Sequence, residues 1–294
     1  MRFSIIIPVY NSHTTIERCL RGIEQIDYSG FEVILVDSSP DDRSSEIIRR
    51  FPQYTLVRPQ KRMLMHAAKN LGIQQAVGET IVCLDPDCVP DRDWLRRLAE
   101  ALSRGYSVVG GGIAFYPGSR LNLAAHIVKF WLWFPGDETR IVADLPTANL
   151  AIRRSALDVV GGFSEDYIAG DTEICHRLRR HGFESYFDGR AVVHHIHEVT
   201  LGSLLRERLL RGIDFGLMRA ATPEWSRFLS LLTIVAMPLL ALRQFAWKFR
   251  ASAGHGYRAG FLLMSPVILC CDFAWMSGVA IGKARSLVRR RSGQ

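Results

Sequence analysis

The chain has 294 residues, 48% of them hydrophobic and 22% charged. That balance excludes a disordered polypeptide and supplies apolar material for a large core. A net charge of +8 points to anionic partners, either nucleic acid or a membrane surface. The six cysteines include no C-x-x-C pair, which argues against a disulfide framework and for a reducing compartment.

The N-terminal apolar run is too short and wrongly flanked for a signal peptide, so this part of the chain is expected to stay in the cytoplasm. Phe3 to Val9 is rich in β-branched residues and predicts a central strand buried on both faces. Asn11 or Ser12 then caps a helix running to about Gln25, with Ile16, Cys19, Leu20 and Ile23 at helical spacing. Phe31 to Val36 predicts a second strand ending in Asp37. An acid in that place either contacts a ribose or base edge or caps the loop. Ser39-Pro40-Asp41 starts the next helix. Thr55 to Val57 is a short strand, and Met63 to Val77 a helix stopped near Gly78.

The fourth strand, Glu79 to Leu84, delivers Asp85-Pro86-Asp87. Four strands thus alternate with three helices, which predicts a parallel sheet with helices on both faces. In such sheets ligands bind beyond the strand ends. Two neighbouring carboxylates repel unless a cation lies beside them. Oxygen ligation of this kind suits Mg²⁺ or Mn²⁺ shared with phosphate oxygens. Neither G-x-G-x-x-G after the first strand nor G-x-x-x-x-G-K-[ST] occurs, so phosphate holding falls to the metal.

From Asp91 a helix runs to about Ser103, and Ser107 to Phe115 is a strand whose three glycines imply close backbone approach. Leu121 to Phe134 is apolar and aromatic, with Trp131 and Trp133, and fits either an interfacial helix or a core helix. Gly170-Asp171 opens a helix that Gly182 closes, which makes Asp171 a helix cap on local grounds. Ala191 to His197 predicts a strand with His195 and His197 on one face and His194 on the other. Zinc ligation lacks further ligands at suitable spacing. One of these histidines is instead expected to join Asp87 at its metal.

Beyond Pro223 the composition shifts. Phe228 to Leu242 is uncharged and contains Pro238, and Gly260 to Gly282 carries only Asp272. These two runs predict either a spanning hairpin or a re-entrant or surface-lying pair, with Asp272 turned toward a helix partner. Lys283, Arg285, Arg289, Arg290 and Arg291 form a basic tail expected on the cytoplasmic side. No nucleic-acid recognition motif accompanies that tail, so no nucleic acid is expected as partner. The expected division is 1–222 as a catalytic domain and 223–294 as a membrane-associated helical hairpin.

Taken in order, these segments resemble family 2 glycosyltransferases of the GT-A fold. The resemblance rests on Ser4 to Asn11, Val36 to Ser39, Lys69 to Gly72 with Ala76 to Glu79, Leu84 to Asp87, Ala148 to Arg154 and Gly161 to Phe163. It implies a Rossmann-like, mostly parallel sheet, with Pro8, Tyr10, Asp37 and Asp85 on the donor nucleotide and Asp87 on the metal, joined by His195. It also places Asp171 on the general base, and Asn149, Glu173, Arg208 and Arg211 on acceptor or sugar contacts. Two positions depart from the family pattern. Gly170 stands where a glutamate precedes the base, and Ser12 where one follows Tyr-Asn.

The resemblance further implies a nucleotide-sugar donor, with a UDP-sugar as the first expectation. A single base and no second nucleophile imply direct displacement with inversion. The apolar C-terminal region leads to the expectation of a lipid or lipid-linked acceptor at the cytoplasmic membrane face. The rival readings are a nucleotidyltransferase on a similar sheet and a non-catalytic sugar-nucleotide binder at the membrane.

Overall fold

The computed structural model describes residues 1–165, 170–221 and 227–291. Its amino-terminal part alternates strands and helices as the apolar spacing predicts. β1 (Phe3–Val9), α1 (Ile16–Glu24), β2 (Phe31–Asp37), α2 (Arg43–Ile48), β3 (Thr55–Val57), α3 (Met65–Gln75) and β4 (Thr80–Leu84) follow one another. The four strands are parallel, in the order β3-β2-β1-β4. Every residue of β1 is buried, as a central strand covered on both faces requires.

The chain continues through β5 (Cys88–Pro90), α4 (Trp94–Ser103), β6 (Val108–Phe115), α5 (Arg120–Phe130), β7 (Thr139–Val142), β8 (Asn149–Arg153), α6 (Arg154–Val160), α7 (Gly170–Arg180) and β9 (Ser185–His195). Beyond β4 the sheet is mixed. β8 lies between β4 and β6, antiparallel to both, while β9 is parallel to β6 and antiparallel to β5 and β7. The expected strand over Ala191 to His197 is therefore longer at its start and ends at His195. His197 is off the strand, and the alternation that paired it with His195 does not apply.

The three glycines of β6 behave as expected. A β-carbon at Gly111 would run into the Ala191 carbonyl, and one at Gly112 would lie 2.6 Å from the Gly189 oxygen. The β6–β9 register shifts between Gly111 and Ile113, a bulge that only side-chain-free backbone accommodates here.

The described residues divide into two units: 1–116, 133–165 and 170–196 in the first, and 117–132, 197–221 and 227–291 in the second. The expected boundary at 222/223 lies outside the described residues. The second unit contains α5, α8 (Leu201–Ala221), α9 (Arg227–Val235), α10 (Met237–Gly254), α11 (Arg258–Leu263) and α12 (Ser265–Arg291). α8 and α12 meet through glycines four residues apart on each helix. A β-carbon at Gly212, Gly216, Gly278 or Gly282 would strike backbone atoms of the facing helix, the small-residue packing that lets helix backbones approach closely.

Two C-terminal expectations change. Phe228 to Leu242 is not one helix, because it breaks between α9 and α10 at Ala236, with Pro238 in the first turn of α10. A nine-residue α9 rises about 14 Å, against a hydrocarbon core of roughly 30 Å. α12 alone, over the 23 residues Ser265–Leu287, is long and apolar enough to cross a membrane among the described residues. Lys283 is buried and its Nζ donates to Thr233 Oγ1 at 2.9 Å, so it belongs to the helix packing and not to an exposed basic tail. The side chains of Arg289, Arg290 and Arg291 lie outside the described residues. Asp272 does turn to a helix partner: it is fully buried and pairs with Lys248 of α10.

Leu121 to Phe134 also divides. α5 ends at Phe130, and a short 3₁₀ turn follows over Trp131–Trp133. Ala124 to Val128 are buried in succession, the pattern of a helix enclosed within the second unit.

Candidate active site

β4 carries the chain from the core to its carboxyl end, where Asp85-Pro86-Asp87 makes a tight turn closed by the Cys88 N–H donating to the Asp85 carbonyl at 3.0 Å. β5 then pairs with β9, setting Cys88 opposite His195. The Ile196 N–H donates to the Asp87 carbonyl at 2.7 Å. Sheet pairing thus brings together two acids from one end of the domain sequence and a histidine about 110 residues later.

Asp87 Oδ1 lies 3.5 Å from His195 Nε2. His195 Nδ1 is 2.9 Å from the Ile196 carbonyl. A carbonyl only accepts, so Nδ1 carries a hydrogen and Nε2 is the ring nitrogen turned toward Asp87. A carboxylate oxygen and an imidazole nitrogen at that separation are both able to face a divalent cation. Asp87, Cys88 and His195 each bring a ligand atom to within 4.8 Å of the others. Burial, reinforced by the Asp87 and Asp85 carboxylates, pushes the Cys88 thiol well above its ordinary range. A carboxylate and an imidazole are ligands that a divalent ion such as Mn²⁺ or Mg²⁺ accepts.

Asp85 is held from behind. Lys69, fully buried on α3, places Nζ 3.4 Å from Asp85 Oδ1 and 2.5 Å from Thr147 Oγ1. The ammonium links the acidic turn to the segment leading into β8. Lys69 opens the Lys69 to Gly72 motif, but nothing in its spacing shows which carboxylate a buried lysine will meet.

The other expected residues are distributed unevenly. Pro8 is buried within β1, and Tyr10 beyond its end is 39% exposed with the Arg62 guanidinium 4.5 Å over its ring. Asp37 is fully buried. It accepts from the Ser39 N–H at 2.9 Å, from Arg58 Nη1 at 2.9 Å and from the Ser45 hydroxyl. A buried carboxylate requires partners, and in this structure the chain itself supplies them. Arg58, which also reaches Asp42 at 3.1 Å, had no signal in the sequence.

Asn149 is an internal brace. Its side chain donates to the carbonyls of Gly112 at 3.0 Å and Ala191 at 2.8 Å and accepts from the Trp94 indole at 2.8 Å. That amide joins three strand segments around the β6 bulge. Asp171 stands in the first turn of α7, where Oδ1 accepts from the Thr172 N–H at 2.9 Å. Glu173 forms a two-pronged pair with Arg177, at 2.8 and 2.7 Å, so its carboxylate is engaged within the helix. His194 pairs with Asp91 at 2.9 Å. Arg208 and Arg211 belong to the second unit. Arg208 packs its guanidinium 4.2 Å over the Trp275 ring, and Arg211 pairs with Glu207 at 3.2 Å. Spacing does not reveal these local partners of Glu173, Arg208 and Arg211.

Known proteins match this architecture. The chain is 33% identical over 178 residues to glycosyltransferase AglE of Haloferax volcanii, covering 57% of each chain. It is 35% identical over 120 residues to an undecaprenyl-phosphate 4-deoxy-4-formamido-L-arabinose transferase of Pectobacterium carotovorum, covering 36% of this chain and 35% of that one. The chain therefore spans about a third to just over half the length of these curated relatives. Among solved structures, a mannosyltransferase, PcManGT, of Pyrobaculum calidifontis in complex with GDP-Man and Mn²⁺ superposes with a TM-score of 0.67 at 21% identity. That match covers 96% of this chain and 87% of the other. TarS of S. aureus in complex with UDP-GlcNAc superposes with a TM-score of 0.54 at 14% identity, over 100% of this chain and 93% of the other. Both support the GT-A-like fold. The sequence model described as glycosyl transferase family 2 matches residues 4–160, more than half of the chain, and the chain belongs to that family.

Proposed function

We propose that the chain is a metal-dependent, inverting glycosyltransferase. It moves a sugar from a nucleoside-diphosphate sugar to the hydroxyl or phosphate oxygen of a lipid or lipid-linked acceptor at the cytoplasmic face of the membrane. The observation that carries this reading is the meeting of Asp87 and His195 at 3.5 Å, beside an Asp85 held by a buried lysine, at the carboxyl end of the sheet.

Asp87 and His195 would hold Mn²⁺ or Mg²⁺. A divalent ion there neutralises negative charge developing on a diphosphate leaving group. Lys69 orients Asp85 toward the donor side of the turn and keeps its carboxylate from swinging onto Asp87. Tyr10, at the end of β1, presents a ring face for the nucleoside. Asp37 acts one step back, fixing Arg58 and the Ser39 loop that border that end of the sheet. Asp171 takes the acceptor proton as the oxygen attacks the anomeric carbon, a contribution of about 10²- to 10⁴-fold in rate. With one base and no covalent step, configuration inverts.

The acceptor class rests on the second unit and on the relatives' names. Phe228, Val235 and Leu239 are 72%, 79% and 71% exposed. An apolar groove of about 660 Å³ lies along α8 and α12 between Leu205, Leu209, Leu269 and Phe273. Contiguous apolar surface of this kind suits a lipid surface. Two of the relatives compared carry glycosyltransferase or undecaprenyl-phosphate transferase in their names.

The test is a thermal-shift screen of UDP-glucose, UDP-N-acetylglucosamine and GDP-mannose with and without Mn²⁺. A donor at 100 times its Kd stabilises by about 2.7 kcal/mol. Release of nucleoside diphosphate is then followed with undecaprenyl phosphate in phospholipid vesicles and with soluble sugars. Mn²⁺-dependent stabilisation and lipid-dependent release are expected. Metal-independent binding, pyrophosphate release or exclusive use of soluble sugars would each overturn the corresponding part.

A further inference from the structure

We infer that His66 is a positioning residue for Asp171, and that Gly170 is glycine so that His66 can take this place. The inference deepens the reading above and rests on it. His66 lies in the first turn of α3 and is 3% exposed. Its ring stacks on Phe163, with centroids 5.6 Å apart and planes 15° from parallel. A β-carbon at Gly170, the first residue of α7, would lie 2.6 Å from both Cδ2 and Nε2 of that ring. No side chain fits at that distance without displacing the imidazole.

The imidazole is buried against a tethered neighbour. Phe163 is pinned through its backbone, its N–H donating to Asn70 Oδ1 at 2.9 Å and its carbonyl accepting from Asn70 Nδ2 at 2.8 Å. Asn70 is one helical turn along α3 from His66, next to the Lys69 that holds Asp85. One short helix therefore sets three things: the acidic turn through Lys69, the Phe163 segment through Asn70, and the start of α7 through His66. Asp171 follows Gly170 directly, so the edge of the imidazole fixes where the first turn of α7, and hence its carboxylate, begins. The family pattern has a glutamate at the Gly170 position. Here an imidazole from α3 occupies the space that such a side chain would enter.

The experiment is a double-mutant cycle with Gly170→Ala, His66→Ala and the pair together, read as nucleoside diphosphate release with Mn²⁺ and the donor that turns over among UDP-glucose, UDP-N-acetylglucosamine and GDP-mannose. Each single change is expected to lower kcat at least about tenfold while leaving the donor KM within about twofold. The pair is expected to recover at least about fivefold over Gly170→Ala, because the methyl group enters the space the ring has left. His66→Gln replaces His66→Ala if the latter loses its native circular dichroism. Single variants with kcat within twofold of wild type, losses that simply multiply in the pair, or a fall confined to KM would each overturn the inference while leaving the proposed function standing. A wild-type chain that turns over no donor would instead overturn the functional reading, and this inference with it.

Discussion

Lys69→Met tests whether the acidic turn is held electrostatically from inside the protein. Methionine keeps most of the aliphatic stem, so the change removes the ammonium with little loss of volume. The charge lies 3.4 Å from an Asp85 carboxylate whose side chain is 21% exposed, and the lysine itself is fully buried. At an effective dielectric near 20, two unit charges at such a distance attract by about 4 to 5 kcal/mol. The cost of desolvating the lysine offsets part of that, while the Thr147 hydroxyl at 2.5 Å loses a charged partner worth about 1.5 to 3 kcal/mol. Because water reaches Asp85, the expected loss of stability is about 2 to 4 kcal/mol, at the lower end of the range for breaking a buried pair. Urea unfolding, with the slope unchanged, reads this directly. Lys69→Met combined with Asp85→Asn should lose less than the sum of the single changes by at least about 1 kcal/mol, since both remove the same interaction. Additive losses, or a Lys69→Met protein within about 0.5 kcal/mol of wild type, would refute the argument that the lysine holds the turn.

Asp87→Asn and His195→Ala should each weaken Mn²⁺-dependent nucleotide binding at least about tenfold by calorimetry, because each removes a ligand atom from a set of few; unchanged affinity in both would remove the metal from this position. Asp171→Asn should keep donor binding and lose at least about 10² in kcat, whereas near wild-type turnover would reduce it to a helix cap. Gly278→Val should destabilise the second unit by about 1 to 3 kcal/mol by forcing α8 from α12, against a near-neutral Gly254→Ala, where nothing lies within 4 Å of the added carbon; equal thermal stability of the two variants would contradict close backbone packing. Arg190→Ala addresses Asp188, where burial alone would raise the carboxyl but the Arg190 hydrogen bonds and charge outweigh it and hold it below its ordinary 3.8. A depressed carboxyl contributes stability that is present above its unfolded value and lost as pH falls through its folded one. Wild type should therefore exceed the variant by about 1 to 3 kcal/mol at pH 7, with the gap closing below about pH 4; a gap that is constant with pH would place the effect in packing.

Local physical chemistry legible in the sequence accounts for the first half of the sheet. The helix expected from Ser39-Pro40-Asp41 begins instead at Arg43, after Asp42, but β-branched runs follow from short-range sterics and burial, and β1 to β4 lie where those signals fall. The same holds for Asp85 and Asp87, because a strand delivers whatever follows it to the sheet edge. The glycines of β6 and the need of Asp272 for a helix partner were legible for the same reason: a missing side chain or a buried charge states a requirement that the fold must meet. Tertiary structure alone decided who meets whom. The insertion of β8 between β4 and β6 turned a parallel sheet into a mixed one, because β-pairing selects neighbours over long stretches of sequence that no local pattern records. It set His195 beside Asp87 through the register of β5 on β9, and carried His197 off the strand into the second unit. It gave Asp37, Asn149 and Glu173 partners within the chain, because a buried polar group must be satisfied and the nearest donors came from segments that spacing cannot rank. It split the first C-terminal apolar run at Ala236, and joined Gly212 and Gly216 to Gly278 and Gly282. An amphipathic pattern says that a face must be covered; only the packed structure shows what covers it.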